Sequence, residues 1–578
     1  MTPGPSFSVQ EIPFSTFGSW LALSPVTALA TYAEDLHLIS HQGGLNPVLR
    51  LTPMEDGARA ATAITATPGR LAWAHPSGTI EAAFESPDTV RLRGSGLALR
   101  LDAAITELTP FTGTYFYDAA GVHVFTSYET GRRYRVTLIA GEAAAHGAQA
   151  LGEAGRGLTF GAGGGDWEAA IEEYGTARPP YSPSAPFDAV AAASRSAFAA
   201  FADAIAPWRN PDTPAADLAA YVLWSATVRP AGFLGRPGVL MSKHWMNKVW
   251  SWDHCFNALA LAAGDPGLAW DQYQILFDHQ DPSGALPDSV THSEVLFNYV
   301  KPPIHGWAFG HLRRRLRLDR SELERVYAQL EKWTQFWLTA RRAQGSPFPH
   351  YEHGNDSGWD NATAFDPERV VETADLSAFL ILQMRELARL GAELGRPAAH
   401  WTATADELQA ELFARLWQGD RFATRGVGSG DTWHTDGLLD LMPIVLGADL
   451  PPSAADALAD RISAHLTEFG LATELPASPH YRSDGYWRGP IWAPATVLIE
   501  DGLRRAGRTA LADEISARFR ALCERSGFAE NFDALTGAGL RDRAYTWTAS
   551  AYLLLAAAHE ARRTAGPEGR RPAASERA

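Results

Sequence analysis

Four segments of this chain concentrate carboxylates, tryptophans and glycines beyond what a bare connection between elements requires. They are Val249-Trp-Ser-Trp-Asp-His254, followed by Gln280-Asp-Pro-Ser-Gly-Ala-Leu-Pro287; Gly354-Asn-Asp-Ser-Gly-Trp-Asp-Asn361; Gly485-Tyr-Trp-Arg-Gly-Pro-Ile-Trp492; and Phe528-Ala-Glu-Asn-Phe-Asp533 with Thr536-Gly537. Each pairs an aromatic ring with a carboxylate or an arginine, a combination that grips a sugar by stacking and bidentate hydrogen bonds. Taken singly, each has a plainer reading: Asp360 as a helix cap, Glu530 as a solvated loop carboxylate, Arg488 as a core ion-pair partner. Four segments of one type together point to glycosidic hydrolysis, which needs two carboxylates and a desolvated pocket.

Such loops must be held by regular elements, and the chain changes pattern part-way. Short β-rich runs at Pro47–Thr52, Gly78–Phe84, Thr89–Arg93, Thr112–Tyr117, Val122–Tyr128 and Arg133–Ile139 alternate with turn signals, as in a sandwich. Gly163 to Gly165 lacks the Lys-Ser/Thr sequel of a phosphate loop and is expected to be a turn. The Pro-dense stretch Arg178–Pro186 has no helical period.

Beyond it the period is helical. Ser321 and Glu324 have capping-box spacing before the stripe Leu323, Val326, Tyr327, Leu330, Trp333 and Trp337. Leu376–Leu390 is apolar on most of its circumference and is expected to stop at Gly391, with Pro397 opening the next helix to about Trp417. Further candidates lie at 188–207, 214–228, 254–263, 266–280, 303–315, 434–447, 452–467, 489–506, 508–526 and 544–562. About a dozen helices with short connections predict a mainly α chain: an (α/α)6 barrel, or toroid, preceded by an N-terminal β-sandwich, with a helical solenoid as the alternative. The expected division is 1–177 for the sandwich, 178–187 for the linker, 188–563 for the catalytic barrel and 564–578 for a disordered tail.

Composition narrows the partners. A length of 578 residues, 46% hydrophobic and 20% charged, is globular, and a formal charge of −16 disfavours nucleic acid and anionic membranes. The start MTPGPSFSVQEI has no basic n-region or apolar h-region, no apolar run would span a bilayer, and Cys255 and Cys523 form no disulfide framework. Together these predict a cytoplasmic protein of undetermined oligomeric state, and the four segments predict a small oligosaccharide or glycoside as its substrate. Only Trp20, Trp73 and Trp167 precede residue 180, so nearly all the 19 tryptophans lie in the helical part.

The four segments resemble glycoside hydrolase family 63 and its relatives, the family 37 trehalases and the bacterial mannosylglycerate and glucosylglycerate hydrolases. Trp250-Ser-Trp-Asp253 is similar to their aromatic-Trp-Asp sugar-binding motif, Ser357-Gly-Trp-Asp360 to the segment carrying the general acid, and Tyr486-Trp-Arg-Gly-Pro-Ile-Trp492 to their Trp-Arg-Gly-Pro segment. Glu530, before Asn531-Phe532 and Thr536-Gly537, is similar in place to the catalytic base. The resemblance covers about residues 240–560 and implies an inverting α-glycosidase on an α-glucoside or α-mannoside. Asp356 departs from it: trehalase-like members carry Glu there, which argues away from trehalose.

On this reading Asp360, desolvated by Trp359, is the acid, and Glu530, a loop carboxylate beside polar Asn531, stays ionised as the base, with Asp533 its competitor. Asp253 and Arg488 would bind hydroxyls, Trp252, Trp359 and Trp492 would form ring walls with Trp487 and Trp547 beside them, and Gln280 and Asn361 would add hydrogen bonds. Lys243 and Lys248 are candidates for an acidic aglycone, although a solvated face is the commoner fate of such lysines. No cofactor is expected and no zinc, since the spacings of His254, His279, His292, His305 and His311 fit no zinc motif; the calcium of some relatives has no EF-type loop here and is left open. The competing functions are a sugar epimerase or lyase on the same barrel, which would use paired histidines, and a non-catalytic carbohydrate-binding protein, which would need neither acid.

Overall fold

A computed structural model describes residues 4–105, 114–119, 122–147 and 156–564. The expected tail falls almost wholly outside these residues, as do Thr112 and Gly113 at the start of one expected strand.

The first part is two antiparallel sheets packed face to face. One runs in the order Leu21–Ala28, Thr31–Ser40, Asn46–Glu55, Ala98–Ala103, Gly157–Phe160, Ala143–His146, with Ala58–Arg59 paired to the third strand. The other runs Thr114–Ala119, Val122–Ser127, Arg132–Ala140, Trp167–Tyr174, Thr89–Ser95, Gly78–Ser86, Arg70–His75, Ala63–Thr67. Alternation drives the stacking: Leu36 and Leu38, Leu49 and Leu51, Leu99 and Leu101 are buried on one side, and Ile80 and Ala82, Val90 and Leu92 on the other. Gly163 to Gly165 is a turn in open space. The segment 178–186 is extended and tied to the second sheet, through Arg135 to the Pro179 carbonyl and Tyr181 to Glu85.

Twelve α-helices follow among the described residues: α1 Phe187–Ile205, α2 Ala216–Ala226, α3 Asp253–Leu261, α4 Pro266–Gln274, α5 His305–Leu312, α6 Arg320–Thr339, α7 Ala374–Leu394, α8 Ala399–Arg415, α9 Pro452–Ala464, α10 Ala493–Arg505, α11 Thr509–Ser526 and α12 Thr546–Thr564. A 3-10 segment, Leu438–Asp449, stands where an α-helix was expected, because Pro443 lies inside it and Gly447 breaks it at φ +61°. Contacts close a ring: α3 against α5, α5 against α7, α7 against the 3-10 segment, that segment against α10, α10 against α12, and α12 back against α3. The outer layer has α2 on α12, α4 on α3, α6 and α8 on α7, α9 on the 3-10 segment, and α11 on α10 and α12. Six inner elements alternate in sequence with six outer ones, the (α/α)6 arrangement. The inner helices are mostly buried, and every residue of α3 is, its Asp253, His254 and Asn257 included.

The chain as a whole is 37% helix and 25% strand, so "mainly α" describes the part beyond residue 187 and not the whole. The capping box forms two residues before its expected place: Asp319 accepts from the Glu322 N–H, and Glu322 reaches back to the Asp319 N–H. Helix α7 also does not stop at Gly391. That glycine is there for space, since a Cβ would come within 2.6 Å of Ala398 Cβ, and the helix ends at Gly395 with φ +72°.

The sandwich and the ring share one apolar core. Helix α1 packs on the strand Gly78–Ser86, Phe7 stacks on Tyr221 of α2 at 4.4 Å, and Lys243 Nζ donates to Ser15 Oγ and the Ser19 carbonyl. Among the described residues no helix is long and apolar enough to cross a membrane.

Candidate active site

The four segments gather at the ring end formed by the N-termini of the inner helices. Asp253 is the first residue of α3, Trp492 immediately precedes α10, and Glu530 lies on the approach to α12. Helix N-termini carry partial positive charge, so buried carboxylates are least costly there. Two glycines shape the Asp360 loop. Gly354 has no room for a Cβ, which would lie 2.1 Å from the Asp360 carbonyl; Gly358 has φ +75°, and a Cβ there would lie 2.6 Å from Trp252 Cζ2.

Five tryptophans floor the site. Trp487 stacks on Trp492 at 4.1 Å with planes 5° apart, Trp359 lies 4.6 Å from Trp487, and Trp547 stands edge-on to Trp252 and Trp492 at 5.9 and 5.5 Å. None is more than 4% exposed. The sequence brings these rings together as expected, but their faces are largely covered by one another. Their work is to exclude water and lower the local dielectric, more than to offer open walls.

Above this floor sits a chain of acids around one lysine. Lys301, just before α5, donates to the Asn355 carbonyl at 2.7 Å and pairs with Asp288 at 3.2 Å. Burial raises the Asp360 carboxyl above its usual range against the pull of Lys301, with Asp288 adding to the rise. Burial pushes Asp253 up to about 8, again against Lys301, and its Oδ2 meets no donor. For Lys301 itself burial works downward, but Asp288, Asp360 and Asp253 outweigh it and hold it above the ordinary lysine value.

Glu530 is 4% exposed, not the solvated loop carboxylate expected. Burial, then Asp542, push it up to about 8, while Arg541 and a hydrogen bond from the Tyr486 hydroxyl work against the rise. Tyr486 connects the two halves of the site: it bonds Glu530 and feels the charge of Asp360, and it holds φ +64°, a left-handed conformation costly for a side-chain-bearing residue. Its carbonyl accepts from Trp492 Nε1 at 2.8 Å, and Arg541 covers its ring at 4.9 Å. Asp533, the competitor for the base, is a turn residue whose Oδ1 accepts from the Leu535 N–H.

Three residues expected to contact the sugar also make structural ties. Asn361 accepts from the Trp487 N–H at 3.0 Å and donates to the Gly485 carbonyl at 3.0 Å, so its amide lashes two loops together. Arg488 donates to the Asn361 carbonyl at 2.7 Å and pairs with Asp366. Gln280 gives its amide nitrogen to the Gly284 and Gln329 carbonyls, towards outer helix α6. Lys243 is neither solvated nor at the site, being buried on Ser15 and Ser19, whereas half-buried Lys248 lies over Trp250 at 5.7 Å. His254 is a core residue bonded to the Val239 and Trp250 carbonyls.

Sequence reasoning missed Lys301, Asp288 and Asp542 and gave Tyr486 no role. Tyr486 could have been found inside its motif; Lys301 carries only one local signal, a lone lysine before Pro302-Pro303 at an inner-helix start.

Residues 246–548 match the family described as mannosylglycerate hydrolase MGH1-like glycoside hydrolase domains. The chain belongs to this family. The matched span contains all the acids and tryptophans above, so the glycoside hydrolase assignment falls on the site itself. A mannosylglycerate hydrolase of Rubrobacter radiotolerans is 24% identical over 410 residues, covering 55% of this chain and 92% of that protein. A glucosylglycerate hydrolase of Mycolicibacterium hassiacum is 22% identical over 411 residues, covering 53% and 91%. Both alignments span little more than half of this chain. A bacterial glucoamylase solved with acarbose matches 97% of this glycoside hydrolase and 96% of its own chain, with a TM-score of 0.62 at 10% identity, a likeness of fold that includes the sandwich.

Proposed function

We propose that this glycoside hydrolase is an inverting, exo-acting α-glycosidase for a small α-mannoside or α-glucoside, with Asp360 as general acid and Glu530 as general base. The observation that carries this reading is the pair of buried carboxyls on two separate loops, bridged by Tyr486 over a tryptophan floor. Burial keeps Asp360 protonated long enough to give its proton to the leaving oxygen. Glu530 takes a proton from the attacking water; Tyr486 and Arg541 favour its ionised form. Asp253, with an acceptor oxygen lacking a donor, is the hydroxyl-binding group, which an arriving sugar would satisfy. Lys248 is the lysine placed to meet an acidic aglycone such as the glycerate of the relatives' substrates. A binding protein or a histidine-based epimerase has no use for two desolvated acids.

The value near 8 at Glu530 also qualifies it as a proton donor, so the test must separate the roles. With a glycosyl fluoride, whose leaving group needs no acid, Asp360→Asn should retain most turnover while losing about 10²–10⁴-fold on the natural glycoside. Glu530→Gln should lose comparable activity on both. The opposite pattern exchanges the roles. Proton NMR of the fresh reaction should show the β-anomer first, and initial release of the α-anomer would overturn the single displacement. A panel of mannosyl and glucosyl glycerates and α-disaccharides fixes the glycone.

A further inference from the structure

Next to Glu530 is a second buried cluster that the mechanism above does not use. Asp542 is completely buried, and its backbone carbonyl accepts the Glu530 N–H at 2.7 Å. Its carboxylate accepts from the Ser242 hydroxyl, from His244 Nδ1 at 3.1 Å and from the Ala544 N–H at 3.0 Å. His244 is also completely buried; its ring stacks on Trp245 at 5.6 Å, and Tyr32, from the sandwich strand Thr31–Ser40, stands edge-on at 6.4 Å. Between these two residues, Lys243 reaches the other way and is anchored on Ser15 and Ser19. Three consecutive side chains therefore alternate: Ser242 and His244 clasp the loop of the base, and Lys243 clasps the front of the molecule.

We propose that Ser242, His244 and Asp542 form a positioning clasp for Glu530, in which the donors gathered on the Asp542 carboxylate hold the loop of the base in place and turn that carboxylate away from it. A carboxylate this deep needs donors for its oxygens, and the Ser242 hydroxyl, His244 Nδ1 and the Ala544 N–H supply them. The His244 ring is itself held in place by its stacking on Trp245. With a donor lost, Asp542 would oppose ionisation of Glu530, to which it is joined through the backbone, more strongly. Other titratable groups face the pair. Arg541, Tyr486 and Tyr545 border Glu530; His41, Lys243 and Tyr32 border His244; Arg543 and Glu11 lie beyond Tyr32. The clasp also gives the sandwich a function, since Tyr32, Ser15 and Ser19 close it from the front.

The inference rests on Glu530 being the base, and the pH profile of kcat/KM tests the two separately. His244→Gln removes the ring donor that turns the Asp542 carboxylate away from Glu530, so the acid limb should move up by about one pH unit. Asp542→Asn, nearly isosteric, removes the carboxylate charge, and the limb should move down by a similar amount. A merely structural role would lower kcat without moving the limb in opposite directions. Circular dichroism and the thermal midpoint establish folding of each variant, and if one does not fold the other alone decides. Limbs that stay put or move the same way overturn the clasp. Turnover retained by Glu530→Gln on every substrate overturns the choice of base instead, whatever the limbs do.

Discussion

Replacing Lys301 by Met removes the one cation that Asp253, Asp288 and Asp360 share. At an effective dielectric of about 20, a unit charge at about 6 Å is worth roughly 3 kcal/mol, or about two pKa units. Half of that is returned, because Asp288, having lost its partner at 3.2 Å, takes up a proton and stops repelling Asp360. The alkaline limb of kcat/KM, which reports loss of the acid's proton, should therefore rise by about one pH unit. Stability should fall by up to about 3–5 kcal/mol, the cost of an orphaned buried charge, and by less where Asp288 is protonated. The sign follows from proton counts. In the variant, buried Asp288 holds its proton to higher pH than it does unfolded, so the folded state binds more protons and stability falls as pH rises. The gap between the urea midpoints of wild type and variant should widen from pH 5 to pH 8. A folded variant whose alkaline limb is unmoved or lowered would refute the assignment of Asp360 as the acid governed by Lys301.

Two further substitutions test the frame. Gly358→Ala combines a left-handed φ with a Cβ 2.6 Å from Trp252, together about 2–4 kcal/mol, and should lower the urea midpoint and disturb Trp252 fluorescence; an unchanged midpoint would show that the loop is not packed as described. Lys243→Met addresses the buried amine, whose pKa burial drives well below the ordinary value. The unfolded lysine keeps its proton up to about 10.4, so wild-type stability rises with pH from the depressed folded pKa to that value. The variant lacks this slope, and its advantage over wild type should shrink between pH 7.5 and pH 10. Parallel stability curves would place Lys243 in water.

The parts of the fold legible in the sequence were those set by near neighbours. A 3.6-residue stripe located all twelve helices within a few residues, because an inner or outer helix must hide the same face along its whole length. Errors arose where two local readings were equally good. Asp319–Glu322 and Ser321–Glu324 share one spacing, and Asp319 takes the cap while the Ser321 hydroxyl merely donates to it at 2.7 Å. Gly391 looked like a stop because a packing glycine and a terminating glycine are the same letter. The four loops named from the sequence gather at one end of the ring, where the side chains of Asn361, Arg488 and Gln280 are also tied to neighbouring backbone. Asn361 and Arg488 satisfy each other's loops, a pairing across more than 120 positions that no local pattern announces.

Asp356 shows how such pairings redirect a functional argument. Its position, four residues before Asp360, made it the departure that argued away from trehalose. Yet its carboxylate is wholly occupied: Oδ1 accepts from the Val300 N–H at 3.1 Å, and Oδ2 from Arg341 at 2.8 Å and the Glu352 N–H at 2.9 Å. A side chain 1% exposed with these partners has nothing left for a substrate. What it does hold is the backbone next to Lys301, whose ammonium in turn reaches the Asn355 carbonyl at the start of the Asp360 loop. A longer side chain at 356 would push that segment and move the lysine relative to all three acids. Asp at this position therefore bears, through Lys301, on the proton affinity of Asp360, and of the groups proposed to meet the glycone Asp253 keeps a hydrogen-bonding atom unspent.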